Sequence, residues 1–161
     1  MTSAFARTVP LPTRRATVRL AEALAREVSG GDLVLLDGPL GAGKTYFTRA
    51  LFRRLGVPAT VTVASPTFAL VHEYSAKFRL VHADLYRLEP TQDIADLGLA
   101  DAREAGAIVI AEWAARFGDA LGRDGIAIAI ERLPTTRRAT LSARGPRGEE
   151  LLMSLPLLGA A

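Results

Sequence analysis

Cysteine is absent from this chain of 161 residues. That excludes disulfides and thiolate metal sites, and it suits a cytoplasmic protein. Lysine is almost absent: of 20 cationic residues only Lys44 and Lys77 are lysines, so arginine is the ordinary surface cation and each lysine asks for a reason. Histidine occurs twice and tryptophan once. Long apolar runs are missing as well. The longest candidates, Ala107–Ala111 and Gly125–Ile130, fall far short of the ~20 residues that a membrane-spanning helix needs. Met1–Arg15 has no continuous apolar core, so no secretory leader is expected.

The remaining composition is that of a globule. Hydrophobic residues make up 49% of the chain and the mean hydropathy is positive, which suits one packed core rather than a disordered tail. No repeat period and no low-complexity linker interrupts it, so a single domain over residues 1–161 is expected. The net charge is +3 and the isoelectric point about 9.8. Such a balance fits contact with RNA, and equally an arginine-rich background.

Periodicity gives a coarse map. Thr17–Val28 carries Leu20, Leu24 and Val28 at helical spacing, with Gly30-Gly31 as a stop. Leu33–Leu36 is a bare apolar run of strand length, as expected inside a parallel sheet. Lys44–Leu55 returns to helical spacing through Phe47, Leu51 and Leu55, and Gly56 and Pro58 end it. Thr60–Ala64 alternates as a strand. Phe68–Tyr74 and Phe78–Tyr86 read as two strands around a polar turn at Ser75–Lys77. Thr91 or Asp93 is placed to cap a helical segment towards Leu97, with a short helix over Leu99–Glu104. Ala107–Ala111 is a second bare strand, followed by a short helix over Ala114–Leu121. Ile126–Ile130, Ala139–Ala143 and Leu151–Leu155 read as strands. The pattern predicts an α/β fold with a mostly parallel central sheet and antiparallel strands added at one edge. The glycine-rich Gly38–Thr45, set between a buried strand and a helix and ending in Gly43-Lys44-Thr45, makes the expected type three-layered and P-loop-like.

Gly38-Pro39-Leu40-Gly41-Ala42-Gly43-Lys44-Thr45 satisfies G-x-x-x-x-G-K-[ST] at every fixed position. The glycines let backbone N–H groups approach phosphate oxygens closely. The helix that starts at Lys44 adds its positive end. Lys44 is the compact, flexible cation that β- and γ-phosphates require, and the Thr45 hydroxyl suits Mg²⁺. The match also follows a buried strand and opens an amphipathic helix, the context that separates a phosphate loop from a glycine turn. Leu40, Gly41, Ala42, Gly43, Lys44 and Thr45 are therefore the nucleotide-binding candidates.

A phosphate loop works with an acid at the end of a neighbouring apolar strand. Glu112 closes Ala107–Ala111 and is the candidate metal-side acid; the alternative is a solvent-facing strand end. Asp84, in His82-Ala83-Asp84-Leu85-Tyr86-Arg87-Leu88, is a candidate for orienting the attacking water or supporting the metal; the alternative is a turn Asp paired with Arg87. His82, alone in an apolar strand, reads as structural. Trp113 reads as core packing or a contact surface. Thr67, in Ser65-Pro66-Thr67-Phe68, is either a γ-phosphate sensor or part of an ordinary Ser-Pro turn.

In combination these segments resemble the TsaE (YjeE) family. The resemblance runs from Pro10-Leu11-Pro12 through the phosphate loop and Phe47, then Ser65–Phe68, Tyr74 and His82–Leu88, to Leu97-Gly98-Leu99 and Glu112-Trp113. The family implies ATP binding with Mg²⁺ and an ATPase that is weak alone. It implies TsaB and TsaD as partners, which transfer threonylcarbamoyl to adenosine 37 of tRNA. tRNA is expected to be engaged indirectly through the complex, with direct contact left open by the arginine content, and no membrane is expected to be involved. Carried over by motif, Asp84, Glu112 and Thr67 are the hydrolytic residues, Thr45 and Glu112 face the metal, and Trp113 joins the active-site or partner surface. Thr13 and Thr136-Arg137 align with positions near the nucleotide base. Ala114 stands where relatives often carry proline. A small P-loop kinase shares the loop but needs a lid, and no lid-length insertion is visible. A non-hydrolysing nucleotide-binding module is the other alternative.

Overall fold

The computed structural model describes residues 5–66, 68–91 and 94–158. The chain runs through β1 (Ala6–Leu11), α1 (Arg14–Glu27), β2 (Leu33–Asp37), α2 (Lys44–Arg54), β3 (Val71–Ser75) and β4 (Arg79–Asp84). A 3₁₀ segment (Ile94–Leu97), α3 (Leu99–Glu104), β5 (Ile108–Glu112) and a second 3₁₀ segment (Ala115–Leu121) follow. β6 (Gly125–Arg132), β7 (Arg137–Arg144) and α4 (Gly145–Ser154) complete it.

The sheet order is β1-β7-β6-β2-β5-β4-β3. Strands β6, β2, β5 and β4 pair in parallel and form the centre. β7 and β1 extend one edge antiparallel, and β3 extends the other. Additions therefore occur at both edges rather than at one. The reason is local: the β3–β4 connection is too short for a crossover, so β3 must pair antiparallel and outside β4, whose other side is taken by β5.

β2 and β5 are buried on both faces, as their unbroken apolar runs require, whereas β6 leaves Ala129 and Glu131 exposed on one face. In β2, Val34 and Leu36 join a cluster with Leu20, Leu24, Phe47 and Leu51 from α1 and α2. Leu33 and Leu35 join the opposite cluster with Leu99 and Ala102 of α3 and with Phe117. Burying one such Leu or Phe stabilises the fold by roughly 1.5–3 kcal/mol. The strand thus fixes two helical layers at once.

Two sequence expectations are corrected. Leu151–Leu155 is not a strand; it belongs largely to α4, where Gly148, Leu151 and Leu152 are buried at helical spacing and Pro146 occupies the first turn. Gly148 is required there, because a Cβ would overlap the Gly125 carbonyl of β6. Thr60–Ala64 alternates but is irregular. Its carbonyls are taken by α2 side chains rather than by a strand: Arg53 donates to Val61 O at 2.6 Å and Arg49 to Val63 O at 3.1 Å. β1 is a strand that the sequence reading did not assign. Asp93, a proposed helix cap, lies outside the described residues.

Candidate nucleotide site

The three neighbouring parallel strands β2, β5 and β4 end in Asp37, Glu112 and Asp84 respectively. Open α/β sheets bind ligands beyond the carboxyl ends of such strands. A cleft of about 680 Å³ lies here. Residues 40–45 form one wall, with Asp84, Glu112, Trp113 and Arg137 also lining it.

The loop between β2 and α2 depends on glycine where the backbone demands it. Gly38 has φ +145°, and a Cβ there would overlap the Ile130 carbonyl of β6. Gly43, at φ 108°, is the residue before α2 and offers no side-chain cap, so the first N–H groups of the helix stay open to a ligand. Lys44 folds back along this loop. Its Nζ donates to Gly38 O at 2.5 Å and to Pro39 O at 3.1 Å, and it sits 4.0 Å from the centre of the Trp113 ring. Burial pushes the Lys44 ammonium below its usual range, while Glu112, Asp84 and Asp37 pull it back up.

Glu112 is 2% exposed, and its Oε1 accepts from the Thr45 hydroxyl at 3.1 Å. The same oxygen meets Nε2 of buried His82 at 2.9 Å. Asp84 stands directly opposite Glu112 in the β4–β5 register. Two carboxylates in register repel unless a cation lies between or beside them. Asp84 is itself held by the Ser65 hydroxyl and by the Tyr86 N–H, the latter at 3.0 Å.

Trp113 has φ 61°, a left-handed conformation unusual for a bulky side chain. Its backbone N–H donates to Leu36 O at 2.9 Å, and its ring packs at a tilt of 48° against Tyr86 with centroids 4.8 Å apart. The turn is fastened by Asp37, which accepts from the Ala115 N–H at 3.0 and 3.1 Å. Burial raises the Asp37 carboxyl above the usual carboxylate range, against the lowering effect of that hydrogen bond and of Lys44. Ala114 therefore leaves a formed turn. Arg116 donates to the carbonyls of Leu85 and Tyr86 and ties the segment after Asp84 to the same turn.

The remaining candidates separate. Arg137 lines the cleft and donates to Gly41 O at 3.0 Å. Thr13 uses its hydroxyl to cap α1, accepting from Ala16 N at 3.1 Å. Thr136 closes the β6–β7 turn through its carbonyl, which accepts from Leu133 N. Neither threonine lines the cleft, whereas Arg14, next to Thr13, does. Thr67 lies outside the described residues. Sequence reasoning passed over Asp37, Tyr86, Arg116 and the contact of His82 with Glu112. The spacing of His82 and Asp84, two apart on one strand, was the available signal, because it puts both on one face.

The topology assigns the chain to the P-loop class of nucleotide-binding proteins, because the glycine loop joins a central parallel strand to a helix whose first amides face the cleft. Comparison with known proteins narrows the class. Residues 11–140 match the family described as Threonylcarbamoyl adenosine biosynthesis protein TsaE, and the chain belongs to that family. It is 36% identical over 151 residues to the tRNA threonylcarbamoyladenosine biosynthesis protein TsaE of Bacillus subtilis, covering 92% of this chain and 91% of that one. The TsaE protein of Rickettsia conorii is 36% identical over 129 residues, covering 80% and 73%. The crystal structure of Bacillus subtilis YdiB superposes with a TM-score of 0.78 at 28% identity, covering 92% and 93%. Among the described residues no helix is long and apolar enough to cross a membrane.

Proposed function

We propose that this chain is a Mg²⁺-dependent ATPase of tRNA threonylcarbamoyladenosine biosynthesis, whose nucleotide cycle drives the TsaB–TsaD transferase pair between states. The observation that carries the reading is the 3.1 Å contact between Thr45 of the phosphate loop and Glu112. It joins a hydroxyl to a carboxylate, the hard oxygen donors that Mg²⁺ prefers. Among the described residues no group of three or more acidic or histidine side chains forms a metal cage. Mg²⁺ takes one or two protein ligands and completes its shell with water and phosphate, so the Thr45–Glu112 pair is a sufficient protein contribution.

In this reading Thr45 and Glu112 hold the metal, which when bound neutralises charge on the phosphates. The amides of residues 41–45 cradle the phosphate chain, and Lys44 leaves the Gly38 and Pro39 carbonyls to pair with it. Asp84, fixed by Ser65 and Tyr86, orients the attacking water. Ser65 belongs to the segment carrying Thr67, so Thr67 is the candidate sensor that reports the γ-phosphate. Trp113 and Tyr86 wall the site. Arg137 braces the loop at Gly41, and the side of the cleft lined by Arg14 and Arg137 takes the base.

The output is a conformation read by protein partners, with tRNA engaged through them, in the cytoplasm. Pull-down of TsaB and TsaD with this chain tests the reading. Recovery is expected to depend on ATP with Mg²⁺; equal recovery with and without nucleotide would contradict it.

A further inference from the structure

His82 is fully buried on β4, and its register partner on β5 is Ile110. Glu112 is two residues further along β5, so the pair is diagonal across adjacent strands on one face. The Nε2 to Oε1 distance is 2.9 Å. The ring stands edge-on to Phe52 of α2, centroids 6.1 Å apart. Nδ1 is buried with no protein partner among the described residues. A second N–H there would be a buried donor without an acceptor, so the arrangement is that of the Nε2–H tautomer, donating to Glu112.

A buried histidine that only filled space would not need to face a carboxylate. Here the one side-chain hydrogen bond it makes among the described residues goes to the acid at the mouth of the phosphate loop. Thr45 and His82 both donate to Oε1, which leaves Oε2 as the oxygen available to a cation. From this we infer that His82 is a positioning residue, locking the Glu112 carboxylate so that Oε2 is presented to nucleotide-bound Mg²⁺. The inference rests on the Mg²⁺-nucleotide reading of the site. Hydrogen-bonded outer partners of this kind commonly change metal affinity about 10–100-fold when removed.

The test measures the ratio of MANT-ATP affinity in Mg²⁺ to that in EDTA, for wild type and for three variants. In His82→Gln the side-chain amide reaches the place of Nε2 and restores the donor. In His82→Asn the amide is too short, and in His82→Phe the shape is kept without a donor. The ratio is expected to fall at least ~10-fold in the Asn and Phe variants and to stay within ~2-fold of wild type in the Gln variant. Affinity in EDTA should be equal in all four. The Asn and Gln pair decides the question if the Phe variant does not fold. Retention of the wild-type ratio by His82→Asn, or its loss in His82→Gln, would overturn the assignment. A wild-type ratio of one would instead sink the Mg²⁺-nucleotide reading and remove the inference with it.

Discussion

Replacing Glu112 by Gln should separate the stability of the empty protein from its grip on a metal-bound nucleotide. The carboxylate is buried, opposed in register by Asp84, and accepts two hydrogen bonds on Oε1. Glutamine keeps that acceptor and places an amide NH₂ where Oε2 was. The empty protein loses a buried charge and a like-charge repulsion, and it also loses the attraction to Lys44. Its stability should therefore stay within about 1 kcal/mol of wild type. The metal loses a ligand and meets N–H donors instead, so affinity for a Mg²⁺-bound, non-hydrolysable ATP analogue should fall at least ~10-fold. At a ligand concentration about 100 times the wild-type Kd, binding stabilises wild type by ~2.7 kcal/mol; a tenfold weaker variant retains ~1.4 kcal/mol. A domain of this size gains roughly 2–4 °C per kcal/mol. Thermal melts should thus show a ligand-induced shift of about 8 °C in wild type and about 4 °C or less in Glu112→Gln. In EDTA the two shifts should match. Equal shifts in Mg²⁺ would refute the placement of Glu112 on the metal side.

Asp84→Asn keeps one oxygen to accept from the Tyr86 N–H and turns an amide N–H towards the Ser65 hydroxyl, which can accept it. Nucleotide affinity should therefore change less than ~3-fold while turnover falls at least ~100-fold; parallel losses in both would assign Asp84 to binding instead. Asp37 has its carboxyl raised by burial, so its ionisation works against the folded state. Its contribution is intact below the ordinary carboxylate range and is lost as pH rises through the raised value. Asp37→Asn should accordingly melt higher than wild type near neutral pH, with the difference shrinking on acidification, and a gap that widened in acid would contradict this. Arg147 donates to both oxygens of buried Asp32 at 2.9 Å and to the Glu27 carbonyl. Arg147→Met keeps the apolar stem but leaves that carboxylate without its cation. With the arginine side chain 32% exposed, the cost should fall at the low end of the range for broken buried pairs, about 3 kcal/mol by urea unfolding. A loss below about 0.5 kcal/mol would show that water replaces the pair.

Central strands and the phosphate loop were readable because their signals are local. An apolar run of four residues with glycine close on each side fits the middle of a sheet, and a glycine loop that opens a helix with one of two lysines fits a phosphate. The C-terminal helix was not readable from Leu151-Leu152 alone, since a short apolar run carries no period. The helix's close approach to β6 at Gly148, and the Asp124 carboxylate that accepts from the Arg147 and Gly148 N–H groups, fix it. Thr60–Ala64 has a strand's alternation, yet the α2 arginines hold its Val61 and Val63 carbonyls in place of a neighbouring strand. Glu112 was legible as a strand-end acid and Asp84 as an acid among apolar strand residues, but their direct opposition is a matter of register between β4 and β5. The contact of His82 with Glu112 is equally non-local. Thr13 shows the opposite limit, because a threonine before a helix is as good a cap as a ligand, and here its hydroxyl caps α1.

Steady-state ATP hydrolysis, measured for this chain alone and with the TsaB–TsaD pair in Mg²⁺, tests the account most directly. Slow turnover alone, a marked rise with the pair, and loss of that rise in Glu112→Gln are the predicted results. A rate unaffected by the partners, or a partner-stimulated rate that survives Glu112→Gln, would contradict it.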